Sequence, residues 1–147
     1  RNYIIMEKVY TSGIVPYTDN GLIGLQKRGV ENQKNRENYA FFGGQRDFVN
    51  GKLETAEEAM FREAYEELRI KPDHFESIGE VKKNQGKRIC FQETFMIPIK
   101  DIDELTDHEG LGIEAFTVNE ARNLHMNPGD NLILDQIEEF FSSRKNR

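Results

Sequence analysis

Apolar residues come along this chain in short β-branched and aromatic runs cut by turn residues, and two stretches carry a helical period instead. From Tyr3 to Tyr17, the residues Ile4, Ile5, Val9, Tyr10, Ile14, Val15 and Tyr17 predict a strand region, and Pro16 marks an edge strand or a strand end. Thr18-Asp19-Asn20-Gly21 is a strong turn signal, and Leu22 to Arg28 reads as the return strand. Gly29 to Asn38, with Asn32, Asn35 and Asn38, reads as a surface loop, and Tyr39 to Phe42 as a short buried strand. Phe75 to Lys82 and Arg88 to Ile99 predict two more strands joined by Asn84-Gln85-Gly86. Thr117 caps a short helix through Leu124. Pro128 to Asn131 opens a last helix whose Leu132, Ile133, Leu134, Ile137, Phe140 and Phe141 are spaced to pack on a sheet, and Ser142 to Arg147 reads as a frayed basic tail. Strands before and after a central helix, with a second long helix at the end, predict an α/β fold with a mixed sheet held between helices.

The central helix lies in the stretch Gly43 to Ile70, around which the chain is organised. Thr55 followed by Glu58 is a capping box, and no Gly or Pro interrupts the helix before about Leu68. On a helical wheel Met60, Phe61, Ala64, Tyr65 and Leu68 form one arc, which reads as the buried stripe. Glu63, Glu66 and Glu67 form a neighbouring arc with the small Ala56 and Ala59. Like charges three and four residues apart cost about a few tenths of a kcal/mol per pair, and the last turns are the wrong end of the helix dipole for carboxylates. A solvated acidic face is the plain explanation. The chemical one is a compensating hard divalent cation such as Mg²⁺, which takes oxygen ligands. Gly43 and Gly44 ahead of the helix permit backbone conformations and close approach closed to other residues.

Composition narrows the setting. At 147 residues the sequence fits one domain, 1–147, and 37% hydrophobic with 31% charged residues fits a polar globular protein. A net charge of -6 argues against avid, nonspecific nucleic-acid binding but not against a nucleotide substrate. The single Cys90 leaves no internal disulfide and fits a reducing, cytoplasmic setting. No apolar run reaches membrane-spanning length and no signal-peptide pattern opens the sequence, which begins at Arg1. Two basic clusters have both a plain and a chemical reading. Lys27 and Arg28 end a strand and either meet solvent or contact phosphate. Lys82, Lys83, Lys87 and Arg88 make a tip that is ordinarily solvated and could also steer an anion.

Glu54, seven residues, then Arg62-Glu63-Ala64-Tyr65-Glu66-Glu67-Leu68-Arg69-Ile70 resembles the Nudix box. The pattern departs in two places. The glycine that should precede Glu54 with five residues between them is Gly44, with nine between, so four residues are inserted within Gln45 to Lys52. Arg69 stands where the family prefers Gly, which predicts a different helix exit.

The resemblance implies the Nudix α/β/α sandwich and Mg²⁺-dependent hydrolysis of a diphosphate bond in a nucleoside diphosphate linked to another group, with Mn²⁺ as a substitute ion. It implies metal ligation by Glu63, Glu66, Glu67 and the Gly43 carbonyl. It implies a carboxylate that positions the water or takes its proton, Glu66 or Glu109, and a carboxylate in the late loop His108 to Phe116 that is either a metal ligand or a general base. In that loop Glu109 is the best match, and Asp107 and Glu114 are the competitors. Arg62 is expected to pair with a box carboxylate, and Glu54 to support the loop or a peripheral ion. Arg28 is the candidate phosphate contact. Asp130 or Asn131 is a candidate base contact, with a simple helix cap as the alternative. The leading substrates are nucleoside triphosphates, damaged nucleotides and nucleotide sugars. An RNA 5′ end, a non-catalytic nucleotide sensor and an ordinary acidic-helix interaction domain are the alternatives. Many relatives dimerise, so a homodimer is one candidate assembly.

Overall fold

The computed structural model describes residues 5–31 and 36–145. Tyr3 and Ile4 of the first predicted strand, Asn32 and Asn35 of the predicted loop, and residues 146–147 of the predicted tail lie outside them.

The architecture is a mixed sheet between two helices. Strands β1 (Glu7–Tyr17) and β8 (Arg88–Pro98) run parallel at its centre, paired over their full length from Glu7↔Arg88 to Tyr17↔Pro98. The order is β3-β2-β1-β8-β7, with β2 at Ile23–Glu31, β3 at Arg36–Ala40 and β7 at Glu76–Asn84. Strand β4 (Phe42–Gln45) also pairs with β1, and β9 (Ile113–Phe116) with β2. Helix α1 (Ala56–Leu68) covers one face, and α3 (Asp130–Lys145) covers the other, with the short α2 (Val118–Ala121) beside it. Alternation along the strands divides the core. Ile14, Phe95 and Ile97 meet Met60, Ala64 and Leu68 on the α1 side. Val15, Tyr17 and Met96 meet Ile133, Leu134, Ile137 and Phe140 on the α3 side. Each of the larger side chains buried this way contributes about 1.5–3 kcal/mol.

Several sequence expectations change here. Pro16 is at a strand end, not on an edge, because β1 is an interior strand. In the segment expected to be a loop, residues 29–31 and 36–38 belong to the paired strands β2 and β3. Val30 pairs with Glu37 and Glu31 with Arg36, since polar residues can still complete a backbone ladder. The short strand expected over Tyr39 to Phe42 breaks at Phe41, where the chain leaves β2 and joins β1. Helix α3 runs on to Lys145 instead of fraying from Ser142. Arg144 lies over the Tyr17 and Phe140 rings and suits the helix's C-terminal end.

On α1 the predicted buried stripe is displaced. Phe61 and Tyr65 are exposed, while Ala56, Ala59, Glu63 and Glu67 are buried with Met60, Ala64 and Leu68. The small alanines face the sheet, so the carboxylate arc turns inward and the aromatics go to the rim, where Phe61 stacks edge-on against Phe75. Arg69 does not change the helix exit. It adopts the left-handed conformation, φ 55° and ψ 35°, that the family's glycine would take. Its guanidinium donates to the Tyr65 and Glu66 carbonyls, which offsets part of the roughly 1 kcal/mol that a side chain costs in this conformation.

The inserted residues form a separate hairpin, β5 (Phe48–Val49) and β6 (Lys52–Leu53), turning at Asn50 and Gly51, both with positive φ. Its base is closed by Glu54 N–H to Asp47 O and by Asp47 N–H to Glu54 Oε1, each 2.7 Å. Phe48 and Val49 stand exposed and do not fold back on the domain.

Candidate active site

The site is assembled where β4, α1 and the loop before β9 meet. Strand β4 lies so close to β1 that a Cβ on Gly43 would sit 1.9 Å from Ser12 O, and Gly43 takes φ 124°, so glycine is required. Its N–H donates to Glu67 Oε1 at 2.6 Å. A Cβ on Gly44 would lie 2.6 Å from Glu63 Oε1. The missing side chain lets a helix carboxylate rest against the strand.

Arg62 ties the surroundings together. Its Nε and Nη2 hold both oxygens of buried Glu54 at 3.0 and 2.8 Å, and Nη1 donates to Glu63 Oε1 at 2.9 Å. Nη2 also reaches the Gln45 carbonyl at 3.0 Å. The forked bond to Arg62 holds the Glu54 carboxyl below its ordinary range, and the same partners raise Arg62 well above its own.

Glu63, Glu67 and Glu109 each offer one carboxylate oxygen, and these lie within 4.8 Å of one another. Glu63 and Glu67 are buried and Glu109 is exposed. Burial raises the Glu67 carboxyl to about 8, helped by the charges of Glu63 and Glu109 and opposed by the Gly43 N–H. Burial also raises Glu63, against the pull of Arg62. Three converging oxygen donors, two of them buried, fit a hard divalent cation. The proton held on Glu67 is what such a cation would displace.

The late loop is fastened to α1 and β2. His108 N–H donates to Glu67 O at 2.8 Å, and Asp107 accepts from the N–H groups of Glu109, Gly110 and Gly112. Burial works against the charge on Asp107, but these donors outweigh it and its carboxyl falls below the ordinary value. Asp107 is thereby engaged in holding the loop, and Glu114 accepts from the Tyr39 hydroxyl at 3.2 Å. Of the three loop carboxylates considered, Glu109 is the one that reaches the cluster. Glu66 lies outside this triad. Its side chain is 44% exposed, and one oxygen is 3.4 Å from Arg62 Nη1.

Beside the carboxylates opens a cleft of about 740 Å³, lined by Gly43 and Gly44, Arg28, Asn38, Lys83 and Asp130 among others. The glycine pair is where cleft and carboxylates join. Lys83 is not a solvated tip residue. It is buried at 4% exposure, with Nζ 2.9 Å from both Asp130 Oδ1 and Gln92 Oε1. Burial raises the Asp130 carboxyl, and Lys83 offsets part of the effect. Asp130 also accepts from Asn127 N–H at 3.2 Å. Asn131, its predicted companion, is exposed and not among the cleft residues. Asn38 Oδ1 is buried with no protein partner among the described residues.

Lys83 reads in the sequence only as part of a basic tip, not as a buried ion-pair partner. Gln26, buried at 1% exposure on β2, is not singled out by the sequence, and its amide bridges Glu67 and Asp107. The only sign of Gln26 in the sequence is a polar residue directly after Ile23-Gly24-Leu25 in a strand.

A family model described as the NUDIX domain matches residues 8–137. The chain belongs to the Nudix family and is a Nudix hydrolase. Among solved structures, the E. coli ORF135 protein is similar at 23% identity and TM-score 0.69, over 97% of this chain and 94% of that one. The MutT protein from Methanosarcina mazei Go1 is similar at 16% identity and TM-score 0.69, over 97% of each chain. The NUDIX domain of Shewanella oneidensis NrtR, complexed with ADP ribose, is similar at 14% identity and TM-score 0.61, over 90% of this chain and 87% of that one. No match was found among curated proteins. Among the described residues no helix is long and apolar enough to cross a membrane.

Proposed function

We propose that the protein hydrolyses a pyrophosphate bond in a nucleoside diphosphate linked to another group, using Mg²⁺ or Mn²⁺. The observation that carries this reading is the convergence of Glu63, Glu67 and Glu109 beside a cleft lined by Gly43, Gly44 and Arg28. Glu63 and Glu67 would hold the ion. The resemblance adds the Gly43 carbonyl and Glu66. A bound Mg²⁺ supplies charge neutralisation of the phosphates and a lowered pKa for water.

The chain's own residues do the rest. Arg62 keeps Glu54 ionised and holds Glu63 in orientation through a hydrogen bond to its Oε1. Glu109, exposed at the edge of the cluster, is placed to take a proton from the attacking water, a role its proximity to Glu63 and Glu67 supports over Glu66. Arg28 is exposed, lines the cleft and, beyond the Nη1 bond to Gln26, has further N–H groups for phosphate oxygens. The buried acceptor Asn38 Oδ1 and the Lys83–Asp130 pair give the cleft fixed polar groups for a nucleobase.

The NrtR domain of the same fold binds ADP ribose, which keeps nucleotide sugars beside nucleoside triphosphates as candidates. The RNA reading loses much of its support, because Lys83 is committed to Asp130 within the protein. The test is a panel of nucleoside triphosphates, nucleotide sugars, dinucleoside polyphosphates and 5′-triphosphate RNA, assayed with and without Mg²⁺, with products identified. Mg²⁺-dependent release of a nucleoside monophosphate or pyrophosphate from a small nucleotide supports the proposal. Absence of turnover on every small nucleotide, with or without Mg²⁺, would overturn it.

A further inference from the structure

We propose that Gln26 is a positioning residue that couples the substrate-facing Arg28 to the ion-holding Glu67, an inference that rests on the function proposed above. The side-chain amide of Gln26 is used at both ends. Nε2 donates to Glu67 Oε2 at 3.3 Å and to Asp107 Oδ1 at 3.2 Å. Oε1 accepts from Arg28 Nη1 at 3.0 Å. Turned the other way, the amide would set its oxygen against two carboxylates and its N–H₂ against a guanidinium. The orientation is therefore fixed by its neighbours.

Each partner has its own task. Glu67 belongs to the carboxylate cluster, and its second oxygen is held by Gly43 N–H. Asp107 gathers the backbone N–H groups that shape the loop carrying Glu109. Arg28 lines the cleft. The loop closes directly on Gln26, since a Cβ on Gly110 would lie 2.8 Å from Gln26 Cδ. One buried amide thus touches Glu67 of the cluster and the aspartate that shapes the loop carrying Glu109, and connects both to the cleft. A substrate phosphate drawing on Arg28 shifts the hydrogen bond that Gln26 accepts. The same amide transmits this to Glu67.

The test is calorimetric titration with Mn²⁺ alone, without nucleotide, on wild type, Gln26→Met, Arg28→Ala and the double variant. Gln26→Met keeps the side-chain volume and removes all three hydrogen bonds. Its Mn²⁺ affinity is expected to fall about tenfold, as when a group supporting a metal ligand is lost. Arg28→Ala touches no carboxylate of the cluster, yet its Mn²⁺ affinity is expected to fall about threefold through Gln26. The double variant should bind no more weakly than Gln26→Met, because the path is already cut. A Gln26 that merely fills the core would lower the melting temperature and leave Mn²⁺ affinity unchanged, and that result overturns the proposal. If Gln26→Met does not fold, Arg28→Ala decides alone, and wild-type Mn²⁺ affinity in that variant overturns the coupling. A wild-type protein that binds no Mn²⁺ would remove the ion site itself, and with it both this proposal and the function on which it rests.

Discussion

Arg62 and Glu54 meet through two hydrogen bonds, Nε to Oε2 at 3.0 Å and Nη2 to Oε1 at 2.8 Å, across the start of α1. Glu54 also closes the base of the inserted hairpin through Asp47 N–H. The pair therefore joins the insertion to the helix that carries the carboxylates. Arg62→Ala leaves a buried carboxylate without its partner. Breaking a buried pair costs about 3–5 kcal/mol, and the partial exposure of Arg62 reduces this to about 2 kcal/mol. Thermal melting should show that loss. Turnover should fall about tenfold, because Arg62 supports Glu63 without holding the ion. Turnover lost more completely than in Glu67→Gln would contradict a supporting role.

Glu67→Gln should behave in the opposite way. The side chain keeps its shape and the fold should stay intact, at a cost of about 1 kcal/mol, because the amide nitrogen cannot accept one of the two hydrogen bonds that Glu67 takes from Gly43 N–H and Gln26 Nε2. Activity should fall by at least about 10²-fold, no less than for loss of a supporting group. Near-normal turnover in this variant would remove Glu67 from the site.

The raised Glu67 carboxyl makes a pH prediction with a definite sign. The unfolded chain releases this proton near the ordinary carboxyl value, 4.5, and the ion-free fold holds it to about 8. Between those limits the folded state binds more protons, so ion-free stability contributed here is present at low pH and lost as pH rises through 8. Wild type minus Glu67→Gln, measured by denaturant unfolding in chelator, should fall across that window. Binding of Mg²⁺ at pH 7 should release protons, seen as a calorimetric heat that depends on the buffer. A difference that does not change with pH would place Glu67 in a more solvated setting.

The insertion should be dispensable for chemistry. Deleting residues 49–52 restores the five-residue spacing between Gly44 and Glu54 and removes only the exposed tip. A surface excursion closed at its base is tolerant of shortening, so kcat/KM on a small nucleotide should stay within about threefold. A large rise in KM would assign the tip to substrate binding.

The Lys83–Asp130 pair should govern stability and KM together. Lys83→Met strands a buried carboxylate and should cost about 3 kcal/mol, while adding Asp130→Leu should recover most of it. Mn²⁺ affinity should not move in either variant, because the pair lies in the cleft and not among the carboxylates.

What the sequence disclosed was local. The Thr55–Glu58 box and the spacing of Glu63 and Glu67 are properties of one helix, and both were readable without its surroundings. The wheel separated two faces of α1 and gave the sheet the one carrying Phe61 and Tyr65, which the structure leaves exposed. Ala56 and Ala59 decided in favour of the carboxylate side. Asn50-Gly51 was available as a hairpin signal and marks where the four extra residues go. Gln26 and Lys83 were hidden for a different reason. Their partners Glu67 and Asp130 are 41 and 47 residues away, and only the assembled sheet brings them together.

The most direct measurement is anomalous diffraction from crystals soaked in Mn²⁺ with a non-hydrolysable nucleoside diphosphate derivative. An anomalous peak is expected bonded to oxygens of Glu63 and Glu67, at roughly the 2.0–2.1 Å of a small hard cation, with phosphate oxygens completing its shell. A nucleotide seated in the cleft with no ion among these side chains would contradict it.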